Sequence, residues 1–392
     1  MPKSSETLRV YIIAGEPSGD LLGGRLMAAL SEITDRKAQY IGVGGPEMAS
    51  QGLSSLFPMS DLSVMGIAEV LPKIPKLLGR ISEVVKDVIN QKPDVVITID
   101  APDFSFRVAK RLKGKNVPLV HYVAPTVWAW RPGRAAKIAK FLDHLLCVLP
   151  FEPLYFKKEG LTATFIGHSV IETAATRADG NKFRKAQNIT PGTPVLAVLP
   201  GSRTGEITRH LPIFKETVLK LQSKIPNLEI ISVTTGHVAQ AIRSELAGWP
   251  IKSVVIDTSL DKYDAMAAAN VALAASGTVT LELAVVGTPS VVAYKVNALT
   301  AFIGKYIVTA KYAGLINILL DQEIMPERLI ENCKADILAP EILNLLQNIK
   351  AQENQKASFK TALKMLTPTG GQSPSQKAAK TILEVIADTS FR

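Results

Sequence analysis

Residues 93–106 read PDVVITIDAPDFSF. Val95, Val96, Ile97, Thr98 and Ile99 form a short run without a charge, which ends on Asp100 with Pro102 and Asp103 just beyond. Such a run is the pattern of a strand buried on both faces, as in a parallel sheet covered by helices. Ligands of open parallel sheets sit outside the carboxyl ends of the strands. Asp100, read as the last residue of its strand, therefore either projects a carboxylate into a crevice or merely turns the chain. Asp103, ahead of the basic amphipathic run FSFRVAKRLK, reads as a helix-capping acid.

The same kind of run recurs along the chain: RVYIIAG, AQYIGVGG, PLVHYVAP, HLLCVLP and TATFIGH, then PVLAVLPGSR, LEIISVTT, KSVVIDT, VALAASG and PSVVAYK. Amphipathic stretches alternate with them, which predicts an α/β fold with two open, parallel, Rossmann-like sheets. A chain of 392 residues with 47% hydrophobic content also exceeds one ordinary core. The break falls after FIGHSV, where ETAATRADGNKFRKAQNITPGTP is polar and strand-free until Val195. The predicted division is 1–170, 171–368, and a C-terminal piece, 369–392. The loop LTPTGGQSPSQ, which starts at Leu366, leads into that piece and precedes an amphipathic helix, KAAKTILEVIADT, expected to pack back on the first domain or on a partner subunit.

The formal net charge of +10 favours anionic partners. Nucleic acid fits worst, because aromatics are only 6% and no recognisable DNA or RNA module occurs. MPKSSETLRVY lacks a signal-peptide pattern, so a cytoplasmic location is expected. The stretch VNALTAFIGKYIVTAKYAGLINILL is interrupted by Lys305 and Lys311 and falls short of about 20 nearly uncharged residues for a membrane span. Cys147 and Cys333 form no CxxC spacing, so neither a disulfide frame nor a zinc site is expected.

Three turns carry candidate chemistry. In IIAGEPSGDLLGG, Gly15 and Gly19 permit a tight turn, Ser18 can cap, and a helix is expected from Asp20. Glu16 and Asp20 would repel a diphosphate but can accept hydrogen bonds from sugar hydroxyls. In LAVLPGSRTGEI, Gly201, Ser202 and Arg203 offer backbone N–H groups, a hydroxyl and a guanidinium to one anion. In ALAASGTVTLELA, Ser276, Gly277 and Thr278 open another helix, and Glu282 can accept the two hydroxyls of a ribose. Ordinary capping explains either of the last two turns alone; two in one domain favour a nucleotide diphosphate.

The stretch HYVAPTVWAWRPGRAAKIAKFLDHLLCVLPFEPLYF concentrates aromatic and basic groups. Trp128 and Trp130 either stack on a sugar or fill the layer between sheet and helices. His121 and His168 end strands, with a ligand-facing and a structural role both open. Val64, Met65, Ile67, Val70, Leu71, Ile74, Leu77 and Leu78, edged by Lys73, Lys76 and Arg80, either pack on the core or contact a membrane surface.

In their order, AGEPSGD, VMGIAEVLP, IDAPDF, APTVWAWRPGR, LPFE, LPGSR and SGTVTLELA resemble the lipid-A-disaccharide synthases over almost the whole chain. The resemblance implies a GT-B glycosyltransferase with two facing Rossmann-like domains, the first for acceptor and membrane, the second for the UDP donor. It implies transfer of 2,3-diacylglucosamine from UDP-2,3-diacylglucosamine to 2,3-diacylglucosamine 1-phosphate, giving a β-1,6 disaccharide and UDP. Asp100 is then the activating base, Arg203 serves the donor phosphates, and Asn317 lies in a loop near the site. An anionic membrane surface and a homodimer are expected partners, with attachment at the inner membrane of a Gram-negative-type bacterium. No metal or cofactor is expected, because no DxD acid pair occurs. The chain departs from the family pattern at His168-Ser169, Leu315-Ile316-Asn317 and Pro326-Glu327-Arg328-Leu329-Ile330. Two rivals remain: a UDP-sugar epimerase of similar fold, which would need no apolar patch, and a non-catalytic lipid- or nucleotide-binding module.

Overall fold

The computed structural model describes residues 7–62, 74–129, 133–234, 236–258, 261–296 and 311–389. The chain divides into two compact units, Met1–Ser169 with Leu366–Arg392, and Val170–Met365.

The first unit holds strands β1 (Leu8–Ala14), β2 (Ala38–Val43), β3 (Ser54–Ser55), β4 (Val95–Ile99), β5 (Leu119–Tyr122), β6 (His144–Cys147) and β7 (Thr162–Phe165). They form one sheet in the order β3-β2-β1-β4-β5-β6-β7, and every pairing is parallel. The opening run behaves as its composition demands. Val96 joins the core that holds Tyr11, Ile81, Val84 and Phe104, whereas Val95, Ile97 and Ile99 join the one that holds Val10, Ile12, Leu26 and Met27. Both faces of β4 are therefore covered, which is why no charge interrupts it before Asp100.

The second unit holds β8 (Val195–Leu199), β9 (Glu229–Val233), β10 (Ser253–Ile256), β11 (Val271–Ala275), β12 (Ser290–Tyr294) and β13 (Glu327–Leu329), in the order β10-β9-β8-β11-β12-β13. This sheet is parallel throughout as well. Two edge strands had no apolar run to announce them: β3 is two exposed serines, and β13 is the half-buried Glu327–Leu329.

The C-terminal helix runs over Pro374–Thr389, so it begins within the stretch read as a loop. Ala378, Ala379 and Ile382 are fully buried in the same core as Leu26 and Met27 of the helix Pro17–Ile33. No helix among the described residues is long and apolar enough to cross a membrane.

Candidate active site

Each sheet reverses its strand order once. In the first unit the chain builds outward from β1 to β3, then crosses to the other side with β4; in the second it builds from β8 to β10, then crosses with β11. The crevices of open α/β sheets open at the carboxyl ends of these strand pairs. The four turns singled out from the sequence follow β1, β4, β8 and β11, so all of them lie at a reversal point.

At the first, the turns after β1 and β4 touch. A Cβ built on Gly15 would lie 2.9 Å from the Cβ of Ala101, so only glycine allows this approach. Asp100 follows the last residue of β4 and, like Ala101, is left-handed, with φ of 50° and 42°. Its backbone is held by the N–H donating to Tyr122 O at 3.0 Å and by Ser105 Oγ donating to its carbonyl at 2.8 Å. Val123, beyond β5, also has φ of 79°, unfavourable for a β-branched residue. Strain of this kind costs about 1 to 3 kcal/mol per residue and persists where surroundings impose it, often at functional sites. Burial pushes the Asp100 carboxyl above the ordinary carboxylate range, and a hydrogen bond from the Ala101 N–H offsets this in part. A half-buried, raised-pKa carboxylate fixed by its own backbone suits proton abstraction.

Its neighbours differ from the sequence reading. The helix starts at Pro17, whose fixed φ suits the first helical position, so Glu16 is the N-cap residue and Ser18 is an exposed residue inside the helix. Asp20 is buried and accepts from the backbone N–H groups of Gly45, Glu47 and Met48 at 2.8, 3.0 and 3.1 Å. Its carboxylate closes the start of the helix Pro46–Ser50 and is not offered to a sugar. Asp103 is no cap either, because left-handed Ala101 takes that place and Asp103 lies in the first turn of Pro102–Leu112. His121 lies within β5, buried, with Nδ1 2.7 Å from Thr98 Oγ1; burial and the Arg134 charge lower its pKa to about 3, so it is a neutral, structural imidazole.

At the second reversal point, Gly201 has φ of 119°. Glu206, three residues after Arg203 and only 8% exposed, ties this turn together. Its Oε2 accepts from the N–H groups of Ser202 and Arg203 at 3.1 and 3.4 Å, and its Oε1 accepts from Arg203 Nη1 at 3.3 Å and from the Tyr294 hydroxyl at 3.2 Å. These amides therefore serve a carboxylate of the protein itself, which corrects their reading as free phosphate donors. The Arg203 side chain remains 63% exposed, available to an anion. Gly277, with φ of 156°, has nothing within 4 Å of a built Cβ, and the helix Val279–Val286 follows it with Thr278 as N-cap. Glu282 accepts from Lys262 Nζ at 2.7 Å and from the Tyr263 hydroxyl at 3.2 Å through Oε1, so a ribose would meet a carboxylate already ion-paired.

Sequence reasoning missed Glu206 and His210. Glu206 sits at capping-box spacing from Arg203, a legible signal. His210 is fully buried; Nδ1 lies 2.7 Å from Pro200 O and Nε2 accepts the Lys295 N–H at 2.9 Å, which fixes the neutral tautomer with its proton on Nδ1. It thereby links the turn after β8 to the end of β12.

Asn317 is not in a loop. It is fully buried in the helix Leu315–Leu320, where Nδ2 donates to Met325 O and Glu327 Oε1 and Oδ1 accepts from the N–H groups of Ile324 and Met325. Such a saturated amide holds its own turn together. Val64, Met65, Ile67, Val70, Leu71 and Lys73 lie outside the described residues, as does Trp130. At the far end of that stretch Ile74 and Leu78 are exposed, whereas Leu77 packs on the core. Lys76 and Arg80 both bind Asp61, at 2.6 and 2.7 Å, so an acid of the protein already partners two of the cations assigned to lipid.

The family model described as lipid-A-disaccharide synthetase matches residues 10–382. The chain belongs to the lipid-A-disaccharide synthase family. The Rhodospirillum centenum lipid-A-disaccharide synthase is 48% identical over 97% of this chain and 95% of its own length. The Paramagnetospirillum magneticum synthase is 45% identical over 96% and 97%. Among solved structures, Acinetobacter baumannii MurG (14% identity, TM-score 0.58) covers 96% of the chain and is itself covered to 99%. The UDP-GlcNAc 2-epimerase of Neisseria meningitidis bound to UDP-GlcNAc (12%, 0.62) covers 98% and is itself covered to 100%. The fold is of GT-B type, and the epimerase likeness at that identity concerns fold alone. Membership of a synthase family settles the enzyme class as glycosyltransferase, against the epimerase and the non-catalytic module.

Proposed function

We propose that the protein transfers 2,3-diacylglucosamine from UDP-2,3-diacylglucosamine to 2,3-diacylglucosamine 1-phosphate with inversion, forming the β-1,6 disaccharide 1-phosphate and UDP. The observation that carries this reading is Asp100, a half-buried carboxyl of raised pKa on a strained turn at the first reversal point. As the acceptor's 6-oxygen attacks the anomeric carbon, Asp100 takes its proton. The new C–O bond forms opposite the breaking bond to UDP, and the pair of electrons leaves on the diphosphate. In the second unit, Arg203 and the N-terminus of the helix Val279–Val286 supply the positive field for that leaving charge. Incubating the protein with both substrates tests the reading. Disaccharide and UDP are expected in equal amounts; UDP without disaccharide, or neither product, overturns it.

Both substrates carry acyl chains, and the net charge of +10 suits an anionic bilayer such as the inner membrane. The stretch from Val64 to Leu78 supplies the contact under this reading. Replacing Val64, Met65 and Leu71 together with serine should release the protein from anionic vesicles while it stays folded and binds UDP. A folded variant that remains on the vesicles places the contact elsewhere, and one that unfolds makes the stretch core.

A further inference from the structure

The motif LPFE at residues 149–152 has no part in the proton transfer or in donor binding, yet it contains a buried acid. Glu152 is 1% exposed. Its Oε2 accepts from the N–H groups of Val148 and Leu149 at 3.1 and 3.0 Å, just past β6, and its Oε1 accepts from the indole N–H of Trp128 at 3.4 Å. Trp128 belongs to the turn that follows β5, and its ring meets Phe151 edge-on with centroids 5.3 Å apart. One carboxyl thus joins the loops that follow two adjacent strands. Those strands continue the sheet from β4, and the ends are laced in series: Asp100 N–H donates to Tyr122 O, and Val123 N–H donates to Leu146 O. The loop bearing Trp128 is therefore the immediate neighbour of the Asp100 turn on the carboxyl edge of the sheet.

We infer that Glu152 is a positioning residue for the acceptor: by holding the Trp128 indole it fixes the loop after β5 beside Asp100, and so sets the wall against which the acceptor sugar rests. A helix-start acid needs only local N–H groups; this one is desolvated and reaches across to a second loop. Burial pushes its carboxyl up to about 7, the three N–H donors opposing that rise, which marks how strongly the fold has withdrawn it from water. Its isostere cannot replace it. A glutamine presents one acceptor oxygen and one NH2, so that its donor faces either the indole N–H or the two backbone N–H groups.

The inference rests on the acceptor role proposed for the first unit. Its test uses the full-length protein, with wild type, Glu152→Gln, Trp128→Phe and the double variant. Expected for either single variant is a fall of about tenfold in kcat/KM for the acceptor, the scale of a sub-ångström displacement of a bound reactant. UDP affinity should not change, and the double variant should be no worse than the weaker single, because both remove one contact. Indole emission should shift in Glu152→Gln, read at a temperature where circular dichroism shows both proteins folded. Multiplying losses in the double variant, or a folded Trp128→Phe with full kcat/KM, would overturn the inference. If Glu152→Gln fails to fold, Trp128→Phe, which leaves the bonds to Val148 and Leu149 in place, decides alone. Wild type inactive on both substrates would instead defeat the proposed function, and the two failures are therefore distinct.

Discussion

The two reversal points share a topology and differ in the residues given to the left-handed backbone. At the first point those positions are Asp100 and Ala101, after β4; at the second they are Gly201, after β8, and Gly277, after β11. Glycine adopts positive φ without a steric penalty and presents no side chain; at Gly201 the room is taken by Glu206, whose Oε2 would lie 2.5 Å from a built Cβ, and at Gly277 nothing lies within 4 Å. A non-glycine residue held in that region is destabilised, and the fold maintains it where a particular side chain must be aimed. Under the proposed function, the side chain aimed at the first point is the Asp100 carboxyl, and the group offered at the second is the exposed Arg203 guanidinium.

The largest expected effect comes from removing the aimed group. Asp100→Asn should lower kcat about 10³-fold, within the range for loss of a general base, with UDP affinity by calorimetry unchanged. Retention of most of kcat would reduce the strained turn to architecture and erase the contrast.

Next, Arg203→Ala should lower transition-state stabilisation by about 2 to 4 kcal/mol, the scale for one preorganised donor, read as kcat/KM for the donor, and activity should persist in EDTA. Loss on chelation with recovery in magnesium would transfer the positive field from the side chain to an ion.

A smaller effect separates architecture from chemistry inside the first unit. Asp20→Ala orphans three backbone N–H groups and should destabilise by about 1 to 3 kcal/mol, seen as a lower melting temperature of the first unit with kcat retained in the folded fraction. If kcat falls instead while stability holds, Asp20 belongs with the chemistry.

Smallest is the pH effect. Because burial raises the Asp100 carboxyl, the acid limb of kcat/KM should lie above the value of about 3.9 for a free aspartate, and residual activity in Asp100→Asn should lack that limb. For stability the sign is opposite to that of an ion-paired aspartate. The fold favours the protonated form, so this group's contribution is present below its unfolded pKa and is lost as pH rises through the raised folded value.

Most of the sheets was legible because the interior strands are covered on both faces and are therefore predominantly apolar. The exceptions are informative: β3 and β13 are edge strands of two and three residues, each paired on one side only, with β2 and β12. The candidate turns were legible as glycine, acid and arginine clusters after strands. Their internal wiring was not, since Asp20 looked like a site acid until its three N–H partners arrived from residues 45–48. Asn317 misled likewise, because the groups that saturate it come from the backbone of residues 324 and 325 and from Glu327. Polar residues that complete a fold and those that await a ligand have the same composition, and long-range hydrogen bonds tell them apart.

The return of the C-terminal helix to the first unit sets an order of events during synthesis. The residues that cover Leu26 and Met27 include Ala378, Ala379 and Ile382, and the ribosome makes all of the second unit between them. At about 5 to 20 residues per second, that apolar face waits on the order of 20 to 70 s for its cover. The first unit to be translated is the last to be closed, and a nascent chain stalled short of its final turns would present a bare helix to whatever binds unfinished proteins.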